Sequence, residues 1–353
     1  MLQRAKGWVT IDMDKIKTID LFAGIGGIRK GFELTGKFST VFANDMDKNA
    51  KFTYDLNFDG TKLTLGDIRK MGVASGEIPQ FDMLLGGFPC QPFSVAGLKK
   101  GFDDPKGRGT LIDDIVRILE EAKEAYGQPK GFLLENVKNL VDLHGGAVYE
   151  VIKGKLEAIG YHVDYRVYNS LYFGIPQSRQ RVYIVGFKDK EVMDRFEWPT
   201  PGEQSKRKVK DILESIVEAK HYYNNKPLYE RIKDDVTNPD YVYLYRRNHV
   251  REHKTGYSPT LVASMGQGGH NVPIIKDSKG LRKLTPRECA RIQGYDDLKI
   301  PLDIAEIQVY KQIGNSVSVP VMHALARKIA LALQEDDEKV PVKRGVLQVS
   351  NIH

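Results

Sequence analysis

Apolar and polar positions divide the first half of this chain between two periods. Residues 18–22 form a short apolar run that ends in a glycine-rich turn at 24–27. Residues 39–44, 81–85 and 131–134 are further runs of strand length. Residues 111–125 and 148–159 place apolar side chains at helical spacing with Glu and Lys between them, which predicts helices with one buried face. Residues 161–168 and 182–187 read as a closing pair of strands. Strands alternating with helices imply an α/β fold, a mostly parallel sheet covered on both faces. Such sheets bind ligands at the carboxyl ends of their strands.

The alternation stops at Trp198-Pro199-Thr200-Pro201. Up to about residue 283 the chain is rich in tyrosine, basic residues and glycine, which predicts a separate small domain over 196–283 after a main domain over 1–195. Helical patterning resumes at 284–294 and 320–333, so residues 284–340 are expected to pack back onto the main domain. Residues 334–353 are polar and mixed and are expected to be partly disordered, with 341–353 as the tail.

Composition narrows the class. The chain has 353 residues, 41% hydrophobic and 28% charged, the balance of a water-soluble globular protein. It shows no long uninterrupted apolar run and no apolar signal core near its start, so we expect a cytoplasmic protein with no membrane partner. Two cysteines, Cys90 and Cys289, fit a reducing compartment. Net charge is +7, but residues 200–283 hold 16 Lys or Arg against 10 Asp or Glu, leaving +1 for the other 269 residues. Charge concentrated in this way suggests a surface for a polyanion, or else a solvated basic face.

Three stretches carry candidate chemistry. Asp20-Leu21-Phe22-Ala23-Gly24-Ile25-Gly26-Gly27 lies between a strand and a helix, where glycines let backbone approach a ligand, and Asp45 ends the next strand where ribose hydroxyls bind. Arg29 stands where a dinucleotide pattern has its third glycine, which points to a nucleoside cofactor without pyrophosphate; a tight structural turn is the alternative. Gly86-Gly87-Phe88-Pro89-Cys90-Gln91-Pro92 holds a cysteine between prolines at a strand end, either a nucleophile or an inert thiol. Glu135, in Leu134-Glu135-Asn136-Val137, faces the same crevice if its strand is a parallel neighbour, as an acid for that nucleophile or a carboxylate at a helix start. In Gln177-Ser178-Arg179-Gln180-Arg181, Arg179 and Arg181 alternate and so share a face, suited to an anion, a carbonyl oxygen or surface salt bridges.

Taken in order, these stretches resemble the bacterial DNA (cytosine-5-)-methyltransferases of restriction–modification systems. Asn44-Asp45, Gly66-Asp67-Ile68, Leu284-Thr285-Pro286-Arg287-Glu288-Cys289-Ala290 and Gln312-Ile313-Gly314-Asn315-Ser316-Val317 fall in the family's sequence of motifs as well. The resemblance covers 17–195 and 284–333; the stretch between is where this family reads DNA. It implies a Rossmann-like, doubly wound sheet with a smaller target-recognition domain, and S-adenosyl-L-methionine as cofactor. It implies Cys90 as the nucleophile toward carbon-6 of cytosine, Glu135 on nitrogen-3 and the exocyclic amine, and Arg181 with Arg179 on the carbonyl oxygen. By the same resemblance Phe22, Gly24, Gly26, Asp45, Met46, Asp67 and Ile68 hold the nucleoside, and Pro89 and Asn315 the methionine end. No metal is needed, and Cys289 is structural.

The resemblance also implies that the enzyme flips its target base out of double-stranded DNA. A loop over 96–110 containing Arg108 would close on the DNA. Gln267, in Ser264-Met265-Gly266-Gln267-Gly268-Gly269-His270-Asn271, is the candidate wedge for the gap, unless that segment is an ordinary turn. Arg246, Arg247 and Arg251 are candidate guanine or phosphate contacts. A monomer is expected. His249-Val250-Arg251-Glu252-His253 matches an inverted zinc pattern but lacks the sequence context of a stable helix. Two rivals are a tRNA cytosine-5 methyltransferase, which usually lacks so long a basic region, and a catalytically silent DNA-binding protein of the same fold.

Overall fold

The computed structural model describes residues 15–89, 111–267 and 271–337. Its main sheet has seven strands: β1 (Ile16–Leu21), β2 (Phe38–Asp45), β3 (Leu63–Leu65), β4 (Met83–Gly86), β5 (Gly131–Val137), β6 (His162–Asn169) and β7 (Gln180–Phe187). Their order is β3-β2-β1-β4-β5-β7-β6. Neighbours from β3 to β5 are parallel, whereas β7 runs antiparallel to both β5 and β6. The chain steps outward from β1 through β2 to β3, then returns to lay β4 on the other side of β1. That reversal opens a crevice at the carboxyl ends of β1 and β4.

Both faces of the sheet are buried, which is why β4 reads as continuous Met83-Leu84-Leu85 rather than alternating. On one face Leu21, Leu84 and Leu134 pack against α3 (Leu111–Tyr126) and α4 (Ala147–Ala158). On the other, Met83, Leu85 and Leu133 pack with α1 (Gly27–Glu33) and α7 (Val319–Asp337). Helix α7 thus shares this core with Met83, Leu85 and Leu133 of the sheet. The stretch Glu306–Gln334 is long and apolar enough to cross a membrane by composition, but its most apolar 18 residues are 67% buried inside the protein, so it is a core element here. The sequence pattern overlooked α2 (Lys48–Asn57), the three-residue β3 and α6 (Glu306–Asn315). In α2 only Ala50, Thr53 and Tyr54 are buried, while Phe52 and Leu56 are exposed, so no apolar stripe marks it.

A second, four-stranded sheet has the order β11-β10-β8-β9, from β8 (Val242–Arg246), β9 (His249–His253), β10 (Ile274–Asp277) and β11 (Gly280–Lys283). Its small core gathers Tyr223, Ile232, Tyr243, Tyr245, Ile274 and Leu281. A larger core joins Val209, Val242, Leu261 and Met265 from this region to Leu284, Ile292, Ile313 and Val319. Helix α5 (Pro286–Ile292) starts where Thr285 and Glu288 form a capping box, with Pro286 in its first turn. His249–His253 is strand β9, so the helix required by the zinc pattern is not formed.

Asp20 sits inside β1, fully buried, and neither carboxylate oxygen has a hydrogen-bond partner among the described residues. Burial pushes its carboxyl up to about 7, against the pull of nearby Arg29. A carboxyl raised in the folded state stabilises the fold below its unfolded value of 3.8 and loses that contribution as pH rises through about 7. Asp20→Asn removes this dependence. The variant should gain on wild type by on the order of 2–3 kcal/mol between pH 5 and pH 8, read from urea unfolding at both values. An unchanged difference would show that the charge is not buried unpaired.

Candidate active site

The crevice holds a cavity of about 620 Å³. Its floor comes from strand ends: Phe22 and Gly24 after β1, Asp45 and Met46 after β2, Gly87, Phe88 and Pro89 after β4, and Glu135 and Asn136 in β5. Its far wall is Gly314, Asn315 and Ser316 at the end of α6, with Leu261, Val262 and Ala263 beside them.

The turn after β1 is built tightly. Phe22 is held at φ 57°, a left-handed backbone that costs a non-glycine residue about 1 kcal/mol or more. Gly26 has φ 80°, and a Cβ there would lie 2.2 Å from the Phe58 ring, so only glycine fits. Asp45 is already oriented, because Oδ2 accepts from Gly24 N–H at 2.8 Å and Oδ1 from Asp47 N–H at 2.8 Å. Behind it, Lys311 of α6 reaches Asp47 at 2.9 Å, and Thr53 of α2 donates to Gln312 Oε1 at 2.7 Å. The cavity thus offers glycine backbone, an aromatic ring and an anchored carboxylate. These suit a nucleoside carrying a small polar arm.

Glu135 and Arg181 meet because β5 and β7 pair antiparallel in a register that sets Glu135 opposite Tyr183 and Val137 opposite Arg181. The two are diagonal neighbours on one face. Arg181 Nε lies 3.1 Å from Glu135 Oε1. Burial raises the Glu135 carboxyl above the usual range, although Arg181 and Arg179 both oppose the shift. A carboxyl in that state keeps its proton more readily and can donate it. Asn136 pins the adjoining loop by donating to the Phe88 carbonyl at 3.0 Å.

Arg179 lines the same cavity as Arg181, as alternation requires, but its partners differ. Its Nη1 donates to Leu261 O at 2.9 Å and its Nη2 to Ser316 O at 2.7 Å. Burial and the neighbouring Arg181 bring it down to about 10, still cationic at neutral pH.

Most sequence-derived candidates gather here: Phe22, Gly24, Asp45, Met46, Ile68, Pro89, Glu135, Arg179, Arg181 and Asn315 all line the cavity. Gly26 stands behind the wall against Phe58. Asp67 is not among the lining residues, since its carboxylate caps the turn at Arg69 N and is clasped by the Arg69 guanidinium at 2.5–3.0 Å. Cys90 and Arg108 lie outside the described residues. Gln312 lines the cavity unforeseen, with its Nε2 buried and unpartnered among the described residues. Only its tertiary pairing with Thr53 marks it. Cys289 is buried, and burial raises its thiol well above the usual value, which disfavours the reactive thiolate.

Away from the cavity, Arg247 and Asn248 both have positive φ and form the two-residue turn joining β8 to β9. Tyr243 and Tyr245 are buried inward. Arg246 and Arg251 are exposed on the opposite face, with Arg247 exposed at the tip. Gln267 is also exposed.

Comparison with known proteins bears on this arrangement. The family described as C-5 cytosine-specific DNA methylase matches residues 16–331. The Type II methyltransferase M.Bsp6I of Bacillus sp. (strain RFL6) is 45% identical over 319 residues, spanning 89% of this chain and 98% of that protein. The Type II methyltransferase M.HaeII of Haemophilus aegyptius is 40% identical over 330 residues, 93% of this chain and 97% of that one. Among solved structures, the Entamoeba histolytica methyltransferase EhMeth superposes with a TM-score of 0.70 at 18% identity, covering 93% of this chain and all of that one. The S. pombe Dnmt2 methyltransferase gives 0.69 at 20% identity, covering 92% and 100%. At such identities these two speak for the fold alone.

Proposed function

We propose a catalytic assignment from one premise, that the chain belongs to the C-5 cytosine-specific DNA methylase family and methylates carbon-5 of cytosine in DNA. The observation that carries the assignment is the ion pair of buried Glu135 with half-buried Arg181 on the floor of a glycine-lined cavity. The methyl donor is S-adenosyl-L-methionine, held by Phe22, Gly24, Asp45, Met46 and Ile68 around the nucleoside and by Pro89 and Asn315 at the methionine end. When bound, it supplies a methyl group from a sulfonium centre, so no metal is required. Asp67 reaches the base edge only if Arg69 releases it.

Cys90 acts as the nucleophile. Its thiolate adds to carbon-6 of the cytosine while protonated Glu135 donates to nitrogen-3, and Arg181 holds the ring's carbonyl oxygen. Addition leaves carbon-5 electron-rich and able to take the methyl group. Loss of the carbon-5 proton to solvent, departure of Cys90 as its thiolate and return of the nitrogen-3 proton to Glu135 restore the aromatic ring.

We assign residues 1–195 and 284–340 to the catalytic body and 196–283 to target recognition. The substrate is double-stranded DNA, and the enzyme works as a cytoplasmic monomer that protects DNA from a partner nuclease. Arg246, Arg247, Arg251 and Arg108 contact DNA, and Gln267 fills the gap left by the flipped base. The test is transfer of labelled methyl from S-adenosyl-L-methionine to duplex DNA against tRNA, with the product identified as 5-methylcytosine. Label in tRNA alone, or in neither, would refute the reading.

Binding to duplex DNA should weaken steeply with salt, because the basic excess lies in 200–283 and its arginine hairpin is exposed. Each phosphate contact contributes about −0.9 to the log–log slope. Titrations at several salt concentrations should give a slope steeper than about −2, two or more contacts' worth; a shallower one removes the hairpin from the DNA backbone.

A further inference from the structure

Residues 258–263 of the recognition region are stitched directly onto the catalytic body. Ser178 N–H donates to Ser258 O at 2.9 Å and Ser258 N–H to Pro176 O at 2.8 Å. Thr260 Oγ1 donates to Ser178 O at 2.8 Å. Leu261 is held at both ends: its N–H donates to Gln177 Oε1 at 2.9 Å, and its carbonyl accepts from Arg179 Nη1 at 2.9 Å. The same two side chains reach the cofactor wall. Arg179 Nη2 donates to Ser316 O at 2.7 Å. Gln177 Nε2 donates to Gln293 Oε1 at 3.0 Å, and Gln293 Nε2 to Ile313 O at 3.1 Å. Gln177, Arg179 and Gln293 are all buried.

The contact has no slack. A Cβ at Gly314 would lie 2.2 Å from Val262 O and 2.8 Å from Ala263 N, so the two backbones touch. Val262 and Ala263 stand four or five residues before exposed Gln267, and Gly314 stands next to Asn315. A displacement of 261–263 must be transmitted to 314–316 through Arg179 or directly across Gly314, because close-packed interiors do not absorb it.

We propose that Arg179 is a positioning residue that couples DNA engagement by the recognition region to cofactor binding, rather than a ligand of the flipped base. The inference rests on the function proposed above. Coupling of this kind is reciprocal and typically changes affinity by about 5- to 150-fold.

The experiment measures affinity for S-adenosylhomocysteine by calorimetry, alone and with a saturating duplex carrying the recognition word found by modified-base sequencing. In wild type the duplex should tighten binding by at least about tenfold. Arg179→Lys keeps the charge but lacks the fork that spans Leu261 and Ser316. Whatever its affinity without DNA, its gain on adding DNA should fall below about threefold. Thr260→Val removes one part-exposed tie without touching the arginine; it should keep the wild-type melting temperature and lose at least about half of the gain, which guards against a lysine variant that fails to fold. No gain in wild type, a full gain in either variant, or equal losses with and without DNA would overturn the coupling. Failure of the proposed function is read separately, as a wild type that does not methylate the duplex.

Discussion

Cys90→Ser should abolish methyl transfer to DNA while cofactor affinity stays within about threefold of wild type, the largest loss expected from any one substitution in this chain. A serine hydroxyl is far too basic to ionise near neutral pH, and its oxygen is a poorer nucleophile than sulfur toward an aromatic carbon. The surrounding chain supports the assignment. Strand β4 ends at Gly86, and Asn136 holds the Phe88 carbonyl at 3.0 Å, so the two residues before Cys90 leave the sheet beside Glu135. A duplex with 5-fluorocytosine at the target should trap a covalent complex with wild type and not with the serine variant, because fluorine cannot leave as a cation. Denaturing electrophoresis reads the adduct. Turnover above about 1% in Cys90→Ser, or no shifted band on a site that wild type methylates well, would take Cys90 out of the role.

The strands that bear the site were legible because they are buried on both faces. In β4 and β5 the apolar runs Met83-Leu84-Leu85 and Phe132-Leu133-Leu134 are unbroken, and residues carrying chemistry stand at strand ends, as Asp45 ends β2 and Glu135 stands near the end of β5. Glu135 and Arg181 stand in two separate motifs that do not foretell their pairing, because the diagonal geometry depends on β7 being inserted antiparallel beside β5. What stayed hidden is tertiary. Helix α2 has too few buried residues for a periodic signal, yet its Thr53 orients Gln312. Alternation alone made Arg179 and Arg181 look equivalent. Only the fold brings Leu261 and Ser316, 82 and 137 residues away, onto Arg179. The composition shift near residue 198 marks a change of surface more than of core: Trp198 packs against the main sheet, and Leu261 shares a core with Ile313.

Glu135→Gln should lower kcat by about 10²- to 10⁴-fold, the usual worth of a positioned general acid, with cofactor affinity unchanged. The amide keeps the size of the side chain and can still hydrogen-bond the ring, so a loss on this scale reports the proton rather than the shape. The pH profile separates these further. Burial holds the Glu135 proton to higher pH than an exposed carboxyl would, against the pull of Arg181 and Arg179. Wild-type kcat should therefore carry a limb that falls with pH as Glu135 loses its proton. Glu135→Gln should lose that falling limb. Arg181→Leu should shift the falling limb to higher pH, since it removes the nearest charge stabilising the carboxylate at 3.1 Å, and should itself cost rate through the lost carbonyl contact. A glutamine variant within about tenfold of wild type, or one that still shows the falling limb, would mean that the nitrogen-3 proton comes from somewhere other than Glu135.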